Sequence, residues 1–235
     1  LQYNIAPLGD HALTIYFGDA VDEHINKKVL QLFQQLQQNR ITGILDVIPA
    51  YTSLTVVYDI MAIKKISGNI SAYEYVSNQI EYLMRQADSL IEVQTRTVIM
   101  PVCYDISFGI DLEEMAAEKN ISIDAIIQLH TSKNYRVYMI GFLPGFAYMG
   151  TVDEKIAAPR KNSPRQKVNA GSVGIAGLQT GVYPIDSPGG WNIIGQTPLQ
   201  MFDTNKTEPC LLQPGDEIIF KAISLQEFEN IQNNP

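Results

Sequence analysis

Residues 171–195 read GSVGIAGLQTGVYPIDSPGGWNIIG. They close a window, 141–195, that holds ten of the chain's 16 glycines and five of its 12 prolines. Helices do not survive that density. An interior glycine costs ~1 kcal/mol and an interior proline ~3 kcal/mol relative to alanine. Short strands joined by tight turns do survive it, so the window predicts a β-barrel or sandwich. The window opens with GFLPGFAYMG (141–150), too apolar for a surface loop and too rich in glycine for a helix.

The flanks agree with a β domain. YRVYMI (135–140) reads as a strand. Two short helices precede it over 111–120 and 122–130, with Asp111 and Ser122 in capping positions. Downstream, LLQPGDEIIFKAI (211–223) is a Pro-Gly-Asp turn and then a strand, with Ile218 and Phe220 on one face and Ile219 on the other.

The first ~90 residues have another texture. HALTIYFGD (11–19) alternates apolar and polar as a strand does. A helix follows over 21–39, with Asp22 at its N-cap and Val29, Leu32, Phe33 and Leu36 at helical spacing. GILDVIPA (43–50) and SLTVVYD (53–59) are two strands. A second amphipathic helix over 71–88 places Tyr73, Val76, Ile80, Leu83 and Met84 on one face, and RTVIMPVCY (96–104) is a strand. The order β-α-β-β-α-β is the ferredoxin-like arrangement. The last strand either closes this domain or opens the next. The expected architecture is therefore α+β: a small ferredoxin-like α/β domain over 1–92 and a β-barrel domain over 93–235.

Composition excludes several classes. The chain has 235 residues, 46% hydrophobic and 18% charged, which is ordinary for a globular protein. Its net charge of −8 argues against nucleic acid and anionic membrane as partners. No apolar run reaches the ~18 residues that span a bilayer. LQYNIAPLGDHALTIYFGD has neither a basic n-region nor a long apolar h-region, so no signal peptide is expected and the cytoplasm is the expected compartment. Cys103 and Cys210 then read as buried free thiols.

No P-loop, serine-hydrolase elbow or metal-ligand cluster occurs. The glycines at 171, 174 and 177 repeat every third residue and do not match a dinucleotide fingerprint. A local charge reversal is more informative. From Ile156 to Ile185 the sequence has Arg160, Lys161, Arg165 and Lys167 and no carboxylate. Arginine forks and glycine-turn N–H groups bind carboxylate and phosphate, so this stretch reads as a small-anion pocket or as a basic solvated loop. Ser187, Pro188, Gly189 and Gly190 make a rigid turn before Trp191, which either presses backbone against a ligand or plugs the barrel end. Gln179, Thr180 and Tyr183 offer neutral hydrogen-bonding groups, with Gln179 and Thr180 on opposite strand faces. His130 ends an apolar helix, where a lone histidine is more often a helix C-terminal group than a catalyst.

PVCYDISFGIDLEEMA, YRVYMIGFLPGFAYMG, APRKNSPRQKVNAGSVGIAGLQTGVYPIDSPGGWNIIGQTP and LLQPGDEIIF together resemble the KipI/PxpB family, also called allophanate hydrolase subunit 1. The likeness spans nearly the whole chain and is strongest from Pro101 to Phe220. It implies a cyclophilin-like barrel for the C-terminal domain. It implies a sister barrel subunit of the KipA/PxpC type and a PxpA-type third component, which together form a 5-oxoprolinase that opens 5-oxo-L-proline to L-glutamate with ATP and Mg2+ at the level of the complex. It also implies two alternatives: an inhibitor of a sensor histidine kinase, or a carboxyltransferase-related component of urea or allophanate metabolism. A lactam activated by phosphorylation needs cations and N–H donors around its oxygens. Arg160 and Arg165 are then expected as anion clamps, and Gln179, Tyr183, Ser187, Gly189, Gly190 and Trp191 as the pocket. His130 is assigned as a polar wall or proton carrier. The isolated chain is expected to be inactive and to be able to pair with itself through the surface meant for its sister. The family pattern has proline where Ala147 and Asn169 stand and glycine where Thr151 stands, which loosens turns and removes no charge.

Overall fold

A computed structural model describes residues 3–86 and 95–234. The chain divides into two compact units, 1–94 and 95–235, against the 92/93 boundary read from sequence.

The first unit contains β1 (Asn4–Pro7), β2 (Ala12–Tyr16), α1 (Glu23–Gln38), β3 (Ile44–Pro49), β4 (Ser53–Tyr58), α2 (Ile60–Lys64) and α3 (Ala72–Gln86). The antiparallel sheet runs β1-β2-β4-β3. Strand alternation sends Leu13, Ile15, Leu54, Val56 and Tyr58 to the helices. There they meet Val29, Leu32 and Leu36 of α1 and Val76, Ile80 and Met84 of α3, the faces expected from 3.6-residue spacing. Asp22 caps α1 by accepting from the His24 and Ile25 N–H groups. Residues 87–88 of the expected second helix lie outside the described residues.

The ferredoxin-like expectation needs correcting at one strand. A ferredoxin-like sheet would be completed by the strand after α3. Here the hairpin partner β1 pairs with β2 at that edge, and β5 (Thr97–Cys103) belongs to the second unit. β5 runs parallel to β13 (Glu217–Ile223) over seven residues and meets β12 (Asn192–Gln196) on its other side.

The second unit is a closed barrel. Its remaining strands are β6 (Asn134–Ile140), β7 (Ala147–Gly150), β9 (Ser172–Ala176) and β10 (Gln179–Val182), and the order around the barrel is β10-β7-β6-β13-β5-β12-β9. A separate ribbon pairs β8 (Arg165–Val168) with β11 (Ser187–Gly189). The helices are α4 (Leu112–Lys119), α5 (Ile123–Thr131) and α6 (Leu225–Asn233). Met100, Val102, Val137, Ala147, Met149, Val173, Ile175, Val182, Ile194, Ile218 and Phe220 fill the interior. Each of these side chains other than Ala147 contributes ~1.5–3 kcal/mol on burial. Ser122 caps α5 through the Ala125 N–H. Cys103 is buried, Cys210 is half-buried, and neither forms a disulfide.

His130 lies in this interior. It is 0% exposed. Its ring packs on Tyr135 of β6 and Phe220 of β13 and reaches Thr180 of β10, so the last turn of α5 closes on the barrel core.

Candidate functional site

The second unit has a second apolar cluster outside the barrel wall. Ala147, Met149, Val173, Ile175 and Val182 point inward, so their alternate neighbours Tyr148, Gly174 and Gly181 face outward. Gly174 and Gly181 are cross-strand partners on β9 and β10. A Cβ on Gly181 would come within 2.9 Å of the Trp191 ring, and one on Gly174 within 3.0 Å of its Cβ. The two glycines thus form a flat saddle on which the indole lies. Trp191 does not plug the barrel end. Phe146 stands edge-on to Trp191 at 5.4 Å and to Tyr183 at 5.2 Å, and Tyr148 lies 5.9 Å from Trp191. The β8–β11 ribbon closes the cluster with Val168.

The stretch 141–150 is the turn from β6 followed by β7 itself, and it supplies Phe142, Phe146 and Tyr148 to the aromatic wall. Gly141 N–H donates to the Phe146 carbonyl and Phe146 N–H to the Leu143 carbonyl. Phe142 has φ +68° and is 65% exposed. A bulky residue in the left-handed region is strained by roughly 1–2 kcal/mol. Its ring stands edge-on to Phe146 at 5.7 Å.

Between the aromatic wall and the ribbon lies a cavity of ≈ 120 Å3. Its lining combines the aromatic residues Phe142, Phe146, Tyr148, Tyr183 and Trp191 with Arg160, Lys161, Pro164, Gly189 and Gly190. Backbone contacts set this arrangement. Lys161 N–H donates to the Gly190 carbonyl at 2.7 Å. Asn192, 5% exposed, donates through Nδ2 to the Pro159 carbonyl at 2.8 Å and anchors the cationic loop at its start. Gly189 packs flat on Tyr183, where a Cβ would come within 2.4 Å of the hydroxyl. The backbone N–H of Trp191 acts on the Tyr183 phenol and partly offsets the rise in its pKa caused by burial.

The four cations of the window separate into different roles. Asp111 is 1% exposed. Its Oδ1 accepts from Arg165 Nη2 at 2.5 Å and lies 3.2 Å from Lys161 Nζ, and its Oδ2 accepts from the Ile193 N–H at 2.6 Å. Lys161 also pairs with Glu114 at 2.5 Å. Burial disfavours the charge on Lys161, but the hydrogen bonds to Glu114 and Asp111 outweigh it and hold its pKa above the usual lysine value. Lys167 pairs with Asp186 at the surface. Arg160 is exposed and makes no ion pair among the described residues. Burial raises the pKa of the Tyr148 and Tyr183 phenols, and the nearby Arg160 charge partly offsets the rise, so both are protonated donors at neutral pH.

The cavity thus gathers Arg160, Tyr183, Gly189, Gly190 and Trp191 of the expected set. It does not gather the others. Gln179 and Ser187 do not line it. Arg165 is spent on Asp111 through Nη2, while its buried Nη1 has no hydrogen-bond partner. His130 is inside the barrel on the far side of the wall, so the structure does not support it as a proton carrier for this cavity. Asp111 occupies the expected capping position of α4, but its carboxylate makes no cap bond and turns to Arg165 and Ile193. Sequence reasoning misses Asp111 and Asn192 as positioning residues, and their only signal is polarity beside a glycine-rich segment. A larger concavity of ≈ 550 Å3 in the first unit, around Arg40, Gly43 and Asp46, has one cation and one carboxylate and no convergent chemistry.

Fold and site define a class: a barrel protein with a small, aromatic-walled cationic cavity on its outer wall, joined to an α/β unit. The chain belongs to the carboxyltransferase domain, subdomain C and D, family, whose model matches residues 3–212, within the KipI/PxpB group. It is 44% identical over 97% of its length, and 96% of the relative's, to the B component of 5-oxoprolinase from Bacillus subtilis. It is 35% identical to the Escherichia coli O157:H7 protein of the same name over 91% and 93%. The crystal structure of TTHA0988 superposes with a TM-score of 0.78 at 34% identity, covering 91% of this chain and 39% of that one. Kluyveromyces lactis urea amidolyase superposes with a TM-score of 0.74 at 17% identity, covering 99% and 15%, which shows a shared fold alone.

Proposed function

We propose that this chain is the B component of an ATP-dependent 5-oxoprolinase, which opens 5-oxo-L-proline to L-glutamate. The near-full-length likeness to the 5-oxoprolinase B component carries this reading. The chain works with a sister barrel subunit of the KipA/PxpC type and a PxpA-type third component, in the cytoplasm, and has no turnover alone. Among the described residues no helix is long and apolar enough to cross a membrane. ATP and Mg2+ serve the complex. The cavity of this chain does not fit them: ≈ 120 Å3 is too small for a nucleotide, and its lining has no carboxylate to share a metal.

The cavity suits the other substrate. A five-membered lactam has an apolar ring edge for the aromatic wall, a carboxylate for a guanidinium, and an amide carbonyl for a phenol donor. A donor on that carbonyl oxygen stabilises the charge that develops there when the carbonyl carbon is attacked.

The deciding experiment is co-expression with the sister subunit and the third component, followed by ATP-dependent glutamate release from 5-oxoproline. Release that needs all three proteins is the expected result. A stoichiometric, folded assembly with no release refutes the reading.

A further inference from the structure

We propose that the outer-wall cavity is a subsite for the lactam acid alone, with the ring against Trp191 and Tyr148 and the carboxylate on Arg160, and that nucleotide binds outside it. This rests on the 5-oxoprolinase reading and assigns one of its two substrates to this chain.

Size decides first. The cavity holds ≈ 120 Å3, against the ~300–1,000 Å3 that drug-sized ligands fill. A base, a ribose and three phosphates do not enter, whereas a five-membered ring with one carboxylate does. Charge agrees. Arg165 and Lys161 are neutralised by Asp111 and Glu114, which leaves Arg160 as the uncompensated cation of the lining. One guanidinium fork matches one carboxylate. A triphosphate needs several unspent cations. The surface is also one-sided: the saddle of Gly174 and Gly181 seats the indole flat, and Tyr148 crosses it edge-on at 63°. Trp191, Tyr148 and Phe142 line the cavity together and give it its aromatic side.

The test is a KM split in the reconstituted complex. Arg160→Gln is expected to raise the KM for 5-oxoproline at least ~10-fold with the KM for ATP unchanged, since hydrogen bonds to charged groups are worth more than neutral ones. Arg160→Lys should recover part of the loss. Arg160 is exposed, so thermal melting should match the wild type. An unchanged KM for 5-oxoproline, or a rise shared with ATP, overturns the proposal. Trp191 is the chain's single tryptophan and gives a separate readout. Its fluorescence in the isolated chain should saturate with 5-oxoproline, not with Mg·ATP, and the response should be lost in Arg160→Gln. If the wild-type assembly releases no glutamate, the 5-oxoprolinase reading fails, and this titration still judges the cavity: a saturable response to 5-oxoproline keeps the subsite, and none removes it.

Discussion

Acidification should destabilise the barrel through His130, by an amount that follows from its surroundings. Thr180 donates its hydroxyl to the Gly174 carbonyl at 3.1 Å, so its Oγ1 accepts from His130 Nε2–H at 2.9 Å. That leaves Nδ1 as acceptor for the Tyr104 hydroxyl at 2.8 Å. Every donor and acceptor is used with the imidazole neutral, and an added proton has no acceptor. Burial accordingly pushes the His130 pKa from 6.5 down to about 3. Between those values the unfolded chain binds a proton that the folded chain refuses. Stability is therefore fully present above 6.5 and falls as pH falls toward 3. At ~1.4 kcal/mol per pH unit, moving from neutral pH to about pH 5 costs about 2 kcal/mol. The assay is urea unfolding followed by Trp191 fluorescence, which reports on the second unit, for the wild type and His130→Gln. The variant should be less stable at neutral pH, having lost the Tyr104 and Thr180 bonds, yet its acid limb should be flatter by about 2 kcal/mol. His11 and His24 remain in both proteins and cancel. Equal pH slopes would refute the buried-neutral assignment. A general acid or base works best with a pKa near the operating pH, so equal slopes would also reopen a catalytic reading of His130.

Other substitutions test the frame of the cavity. Asp111→Asn leaves Arg165 and Lys161 without their shared counter-charge, and should cost about 2–4 kcal/mol in urea unfolding and raise the KM for 5-oxoproline; an unchanged midpoint would contradict the role of Asp111 as the buried counter-charge of Arg165 and Lys161. Gly189→Ala drives a Cβ to within 2.4 Å of the Tyr183 hydroxyl, and Tyr183 is 1% exposed with no room to retreat, so thermal melting should show a loss of about 1–3 kcal/mol. Phe142→Gly relieves the left-handed strain, so the protein should be about as stable as the wild type or up to about 1 kcal/mol more so, while the KM for 5-oxoproline rises; lower stability with unchanged KM would show that Phe142 is a packing residue only.

Much of the site is legible in the sequence because its parts are local signals. The glycine and proline density over 141–195 forbids helix, and Arg160 and Lys161 and the Gly189–Gly190–Trp191 turn stand out as charge and rigidity in that stretch. The structure brings them together through contacts across the window, Lys161 N–H to Gly190 and the pairing of Gly189 with Arg165. Arg165 misleads because charge is visible in sequence and its partner is not. Asp111 lies far from it along the chain, and an aspartate before a helix looks like a cap. His130 misleads for a similar reason: its helical position is clear, but whether the last turn of α5 faces solvent or the barrel core depends on how α5 packs.

The elements themselves are local. Helical faces, the Asp22 and Ser122 caps and the strand alternation depend on neighbours within a few residues, and they form as their periodicity requires. Which strands meet, and which charges meet, is a property of the folded whole. The strand after α3 leaves the first sheet because β13 offers it a seven-residue parallel ladder and the barrel core takes Met100 and Val102. Arg160 is the uncompensated cation of the cavity because Asp111 takes Arg165 and Lys161. Pairings of this kind are fixed by burying apolar surface and compensating buried charge across long separations, and no local window of the chain contains both partners.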